Sequence, residues 1–212
     1  MIAQLLPHAL IVIVAIGAYV LAARQLDRTI RAFAAQSYVL AFVAVIAAPQ
    51  SEHPRHLWVL AGLTVAIKGV AVPLALLGAV ERLRIGHEIE FIVNIPSSLL
   101  MAAIGCLGAF GVADQLGGEV EALHGALGAG LATVLLGLLV MLGRRKVITQ
   151  IVGLLIMENG VILCALGLTL GMPLIVEIGV ALDVLVAVQI LALFAYRIGS
   201  GLDGGGREEP PP

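Results

Sequence analysis

The sequence predicts an all-α polytopic membrane protein with about seven transmembrane helices, and three observations carry this prediction. Of the 212 residues, 60% are hydrophobic and only 12% are charged, which is about half the charged share of a soluble domain. The apolar residues form seven runs of spanning length, and Lys and Arg fall almost entirely in alternate connections. The composition excludes an ordinary soluble globule, and a net charge of −2 provides no basic excess for nucleic-acid binding.

Each of the seven runs approaches the roughly 20 apolar residues that a helix needs to cross a bilayer. The predicted spans are residues 4–23, 32–48, 57–80, 91–113, 123–143, 147–170 and 174–196. No basic segment precedes the first run, so we expect a retained helix rather than a cleaved signal peptide. The stretch from residue 199 onward is rich in Gly and Pro, and we expect a disordered tail there.

The distribution of positive charge predicts the orientation, because cytoplasmic loops carry an excess of Lys and Arg. One set of connections, with the C-terminal segment, holds ten of them: Arg24, Arg28, Arg31, Arg82, Arg84, Arg144, Arg145, Lys146, Arg197 and Arg207. The alternate set holds only Arg55, and the remaining cation, Lys68, lies inside a span. We therefore predict seven spans with the N-terminus outside and the C-terminus in the cytoplasm.

Four residues of the Asp, Glu, Lys and Arg types lie within the predicted spans. Lys68, Glu158 and Asp183 are close to the midpoints of the third, sixth and seventh spans, and Glu177 is nearer the outer end of the seventh. A charged residue at the bilayer centre costs about 2.5–3.5 kcal/mol, so such residues normally face the bundle interior or a wet cavity. We interpret the four as candidate proton-relay residues, since buried carboxylates can exchange protons near neutral pH. Alternatively, they are neutral or mutually paired groups that hold helices together, and Glu177 is a solvated end residue.

Glycines recur in the sixth span at a spacing of seven residues, at Gly153, Gly160 and Gly167. This spacing keeps them within about 20° of one face, and small residues permit close helix contact in lipid. We therefore predict a helix-packing seam. Glu158 lies about 200° around the helix from Gly160, so its expected neighbour is either the last helix or a partner subunit.

Other patterns give less chemical information. Pro73 is expected to kink the third span, and Pro96 to start or kink the fourth. Cys106 and Cys164 lie in apolar runs and are expected to be packing residues. The sequence shows no nucleophile–base pair, phosphate-binding glycine loop, haem motif or metal-ligand spacing, so it predicts no catalytic, cofactor or metal site in this chain.

The C-terminal half resembles a known family. The run RRKVITQIVGLLIMENG at residues 144–160 resembles the K subunit of respiratory complex I, a three-helix protein with paired arginines, a G-L-E-I-M-x-N-type run and a carboxylate in its next helix. With its four preceding helices and the run MPLIVEIGVALDVLV at residues 172–186, the chain is similar to component E of hydrogenase 4. That component is the K-like membrane subunit of group 4 nickel–iron hydrogenases and formate hydrogenlyases.

The resemblance implies three regions: a four-helix membrane region at 1–122, a K-like three-helix region at 123–198 and a disordered cytoplasmic tail at 199–212. The chain departs from the K subunit at one position. The family's first carboxylate would fall at Leu155, whereas this chain has Glu158 three residues later, about 4.5 Å along the helix axis. The second family carboxylate aligns with Asp183.

The resemblance also implies where the chemistry occurs. Iron–sulfur clusters and a nickel–iron centre are expected in peripheral cytoplasmic subunits, and antiporter-like subunits are expected beside this chain in the cell inner (plasma) membrane. Other membrane-arm subunits and lipids would be further partners. The chain would then be a non-catalytic subunit of an oxidoreductase complex, whose carboxylates relay protons or couple redox chemistry to ion translocation. Two alternatives stay open: a K-like subunit of a multisubunit cation/proton antiporter, and a purely structural membrane scaffold.

Overall fold

The structure, a computed structural model, describes residues 5–51, 54–82, 94–116 and 121–169. Within these ranges the chain is helical almost throughout. Among these residues, five helices are long and apolar enough to cross a membrane, and Leu6–Ala22 is a shorter apolar helix of 17 residues. The prediction of an all-α membrane protein is confirmed. The predicted seventh span at 174–196 and the tail from 199 lie outside the described residues.

The described helices correspond in order to the first six predicted spans. They are α1 (Leu6–Ala22), α2 (Leu26–Ala47), α3 (Pro54–Thr64), α4 (Val72–Arg82), α5 (Ile95–Leu116), α6 (Glu121–Gly143) and α7 (Val147–Thr169). A π-helical segment of seven residues, Val65–Ala71, connects α3 to α4 without a break. These three elements together form the third span.

Helix α2 begins six residues earlier than the predicted span, at Leu26 rather than at residue 32. Its first two turns carry charged residues, including Asp27, which lower the average hydropathy of this part of the helix. However, Leu26, Ile30 and Phe33 are completely buried along one face. Burial of a single apolar face is sufficient to stabilise a helix against its neighbours. A hydropathy averaged over all faces does not detect such a face.

The helices of the two predicted regions pack into one bundle. Among the described residues, α6 and α7 form the most extensive contact, α1 packs on α2 and α6, and α2 contacts α7 and the third span. Leu136, Val152 and Ile156 from the C-terminal half join Phe33 of α2 in a common core cluster. Helix α2 thus packs on α7, and α1 and α5 pack on α6, so the N-terminal helices do not form a separate layer.

Helix α5 lies at the side of the bundle and packs mainly on α6. Pro96 occupies its first turn, where the missing N–H leaves no helical hydrogen bond unmade, so this proline starts the helix. The residues that α5 buries are small: Ser98, Ala102, Ala109 and Ala113. Its outward face carries large apolar side chains, with Leu107 76% exposed, as expected for a helix that faces lipid or another membrane protein.

Candidate functional site

Helix α7 uses one face for close packing on α6. A Cβ added to Gly160 would lie 2.6 Å from the backbone nitrogen of Val134, and Gly153 meets Met141 and Gly137 at similar distances. Gly167 is also buried. The backbones of α6 and α7 are thus nearly in contact, and the other side of α7 is available for polar side chains.

Lys68 lies at the centre of the third span, in the π-helical segment. Pro73 has no N–H, so the carbonyl of Gly69 does not receive its regular α-helical hydrogen bond from that position. The hydroxyl of Tyr38 on α2 donates to this carbonyl at 3.0 Å instead. Val72 donates its N–H to the carbonyl of Ile67, five residues earlier, which is the hydrogen bond that defines a π turn. The proline predicted to kink this span therefore follows a local change of helix type.

Lys68 and Glu158 form a buried ion pair. Lys68 Nζ lies 3.1 Å from Glu158 Oε1, and the two side chains are 0% and 3% exposed. Lys68 is the central residue of the segment Pro54–Arg82, and Glu158 is the central residue of α7. An isolated charge at this position would be very costly. The attraction between the two opposite charges offsets part of that cost.

Two of the four predicted relay residues are thus brought together. The sequence led us to expect the last helix or a partner subunit opposite Glu158, whereas the structure places the third span there. Glu177 and Asp183, the other two candidates, lie outside the described residues, and their relation to the Lys68–Glu158 pair stays a prediction.

A chain of hydrogen-bonded side chains extends from the ion pair to α1. Lys68 Nζ donates to Asn159 Oδ1 at 3.3 Å. Asn159 Nδ2 then donates to Gln36 Oε1 and to Ser37 Oγ, each at 3.3 Å. Gln36 Nε2 donates to the carbonyl of Ile13 at 3.0 Å. We call Asn159, Gln36 and Ser37 the amide chain; all three are completely buried, and they connect α7, the third span, α2 and α1.

The amide chain was not predicted from the sequence, although the sequence contains a signal for it. Buried amides in a membrane span must find hydrogen-bond partners, because no water is present to provide them. Gln36 and Asn159 are both amide residues within long apolar helices. Their position alone would have marked them as residues that contact other polar groups in the bundle.

Arg144 is a second buried cation that the charge count treated as an ordinary loop residue. It lies between α6 and α7, is 2% exposed, and donates through Nη2 to the carbonyls of Val20 and Leu21. These carbonyls belong to the last turn of α1, where backbone acceptors lack α-helical donors; the Val20 carbonyl also accepts from the N–H of Ala23 at 3.2 Å. Burial lowers the pKa of Arg144 to about 10, so the guanidinium stays charged at neutral pH and complements the negative end of the α1 dipole.

Comparison with known proteins places this bundle in a family. Over 177 residues the chain is 32% identical to uncharacterized protein Rv0085 of Mycobacterium tuberculosis. This alignment covers 82% of this chain and 80% of Rv0085. Over 101 residues it is 39% identical to hydrogenase-4 component E of Escherichia coli, and the same match occurs with the Shigella flexneri protein. That similarity spans 48% of this chain and 47% of component E.

No protein-family model matches the chain. No solved structure matches it either. The family assignment therefore depends on the similarity in sequence, which for the mycobacterial protein extends over most of both chains. The chain belongs to the family of the mycobacterial protein Rv0085, and about half of it is similar to hydrogenase-4 component E.

Proposed function

We propose that this chain is a membrane subunit of a hydrogenase-type complex, and that Lys68 and Glu158 form one station of a proton relay in its membrane region. The similarity to hydrogenase-4 component E supports the assignment to such a complex. The buried Lys68–Glu158 pair at 3.1 Å is the observation that carries the relay proposal, because ionisable residues at the centre of a bilayer are costly and usually functional.

The pair is suited to pass on a proton or an electrostatic signal. Transfer of a proton from Lys68 to Glu158 converts the ion pair into two neutral groups, a form that a low-dielectric interior favours far more than water does. A charge that arrives at a neighbouring site shifts the balance between these two forms, because interacting sites titrate together. Asp183 and Glu177 would provide the further stations of the relay.

The redox chemistry would take place in other subunits. Iron–sulfur clusters and a nickel–iron centre would lie in peripheral subunits on the cytoplasmic side of the inner membrane. Antiporter-like membrane subunits would lie beside this chain and exchange protons with it. The exposed apolar face of α5 provides a surface that such a subunit, or lipid, can cover.

A structural role for the pair is the second candidate, and a specific observation favours it. Lys68 and Glu158 neutralise each other, and the amide chain ties the same site to α2 and α1. Polar contacts of this kind connect membrane helices without any role in transport. The two candidates predict different effects of a substitution that removes one charge but keeps the shape of the side chain.

Purification of the native complex in a mild detergent tests the assignment. We expect redox subunits, antiporter-like subunits, nickel and iron to copurify with this chain. If these metals are absent and the complex carries out sodium-dependent transport, the chain is instead a subunit of a cation/proton antiporter.

Glu158→Gln and Asp183→Asn test the relay in that complex. Each substitution removes a titrating group but keeps the size of the side chain, and the glutamine introduced by Glu158→Gln keeps a carbonyl oxygen that accepts from Lys68, which a leucine would not. We therefore expect assembly to be retained, with proton translocation reduced by about tenfold, the effect of ~1.4 kcal/mol on a barrier. Thr133→Val is a matched control, because Thr133 is completely buried and, among the residues that the structure describes, its hydroxyl donates within its own helix, to the carbonyl of Ala129. Full translocation in Glu158→Gln would refute the relay, and loss of assembly in that variant alone would support the structural role.

A further inference from the structure

The amide chain has a fixed direction. The carbonyl of Ile13 can only accept a hydrogen bond, so Gln36 must turn its NH₂ group towards it and its own carbonyl oxygen towards Asn159. Asn159 must then donate to Gln36, which leaves its Oδ1 for Lys68. The backbone of α1 therefore determines that an acceptor, and not a donor, faces the ammonium group of Lys68.

Ser37 reinforces this direction from the same turn of α2. Its hydroxyl donates to the carbonyl of Phe33 at 3.1 Å, so its remaining lone pairs accept the second N–H of Asn159. Both hydrogens of the Asn159 amide are thus directed away from Lys68. Flipping this amide would place two donors against a cation and leave two acceptors on α2 without their donor.

From this arrangement we infer that Asn159 is a positioning residue that holds the Lys68–Glu158 pair in its ionised form. A hydrogen bond to a charged group is roughly twice as strong as one between neutral groups, so the Asn159 carbonyl stabilises the ammonium more than the neutral amine. The aligned dipole of Gln36 behind it strengthens the effect, since hydrogen bonds in a chain polarise one another.

Helix α2 also fixes the backbone next to Lys68. Tyr38, which follows Gln36 and Ser37 directly, donates its hydroxyl to the Gly69 carbonyl. Its ring fills the space beside Gly69, where an added Cβ would lie 2.9 Å from a ring carbon. Three consecutive residues of α2 thus act around Lys68: Gln36 and Ser37 orient its acceptor Asn159, and Tyr38 holds the adjacent main chain at Gly69.

The inference deepens the proposed relay, since Asn159 would set the balance between the ion pair and the neutral pair. For the chain itself, the expected result is that Glu158 is ionised when Asn159 is present. A purely structural Asn159 would affect stability in the same way, because its removal leaves Gln36 and Ser37 without their donor. Stability alone therefore does not distinguish the two roles, whereas the protonation state of Glu158 does.

Infrared spectroscopy of the purified full-length chain in lipid nanodiscs at neutral pH measures that state. Protonated carboxylic acids give a C=O stretching band that carboxylates lack. In the wild type we expect no such band from Glu158. In Asn159→Leu, which removes the acceptor at nearly constant volume, we expect the band to appear, because the proton moves from Lys68 to Glu158. The band must then disappear in Asn159→Leu/Glu158→Gln, which assigns it to Glu158.

Thr133→Val serves as the control and should leave the spectrum unchanged. Ser37→Ala is the milder variant should Asn159→Leu not fold, since it removes one of the two acceptors that orient the Asn159 amide, and we expect a weaker band of the same kind. A protonated Glu158 in the wild type, or an ionised one in every folded variant of the amide chain, would overturn the inference. A Glu158→Gln complex with full proton translocation would remove the relay but leave this result standing.

Discussion

Gly137 and Gly153 face each other across the α6–α7 interface with no space for a side chain on either helix. A Cβ on Gly137 would lie 2.6 Å from the Gly153 carbonyl oxygen, and a Cβ on Gly153 would lie 2.9 Å from the Gly137 carbonyl oxygen. Lipid provides no hydrophobic force between helices, so association depends on close contact of this kind. The two helices are therefore held mainly by backbone proximity.

Gly160→Leu should separate α6 from α7 and prevent incorporation of the subunit into its complex. Even Gly160→Ala places a methyl group 2.6 Å from a backbone nitrogen, and overpacking of this type costs about 1–3 kcal/mol. The measurements are recovery of the subunit with the purified complex and the thermal midpoint in detergent. Gly62→Ala is the control, because a Cβ there meets no atom of the described residues within 4 Å. Normal recovery of Gly160→Leu would mean that this face does not pack on α6.

Removal of one member of the Lys68–Glu158 pair should be more damaging than removal of both. Lys68→Leu or Glu158→Leu leaves an uncompensated buried charge, which costs about 3–5 kcal/mol, whereas apolar replacement of both partners is often neutral. We expect both single variants to show a lowered thermal midpoint and the Lys68→Leu/Glu158→Leu variant to recover most of the loss. If the effects of the two substitutions simply add, the residues are not coupled.

Arg144 and Arg145 are adjacent but should respond differently to substitution. Arg144→Gln removes charged hydrogen bonds to the end of α1, each worth about 1.5–3 kcal/mol, and we expect a lower thermal midpoint. Arg145 is exposed, so Arg145→Gln, which removes the same charge, should leave the midpoint unchanged. Equal effects of the two substitutions would show that charge alone matters.

The pH dependence of the Arg144 contribution follows from its pKa. Burial lowers that pKa to about 10, so the unfolded chain binds this proton more tightly than the folded chain. By linkage, the contribution to stability rises with pH only where the two states differ in protonation, which is above about pH 10. The difference in thermal midpoint between wild type and Arg144→Gln should therefore be constant across the neutral range.

Cysteine labelling tests the predicted orientation. In a variant in which Cys106 and Cys164 are replaced by alanine, a membrane-impermeant thiol reagent added to intact cells should label a cysteine at Glu119 but not one at Arg145. The expectation follows from the excess of Lys and Arg on the side that carries Arg145. Labelling at Arg145 from outside would reverse the predicted topology.

The sequence predicted the first six spans well because helix length and hydropathy are set by the bilayer itself; the seventh lies outside the described residues. It placed the start of α2 too late, since Asp27 and its charged neighbours mask the buried face of Leu26 and Ile30. It did not predict the π-helical segment either. Pro73 indicates a disturbance of the helix, but the form of that disturbance depends on Tyr38 of another helix.

The candidate site was predicted as separate residues rather than as an assembly. Lys68 and Glu158 were identifiable because each is a charge at the centre of an apolar run. Their pairing was not, because it depends on how helices far apart in sequence are rotated relative to each other. The glycine spacing correctly predicted that Glu158 and Gly160 lie on different faces of α7. Nothing in the sequence showed which helix would contact the face that carries Glu158.

The separation of Lys68 from its partners along the chain has a consequence for biogenesis. Asn159 is 91 residues downstream of Lys68, so at a synthesis rate of ~5–20 residues per second the third span emerges roughly 5–20 s before these partners exist. During that interval the span must enter the bilayer with an uncompensated lysine, at a cost of about 2.5–3.5 kcal/mol. Its 28-residue apolar length makes such an entry feasible, and the later arrival of α7 supplies the carboxylate and the amide oxygen that compensate the lysine.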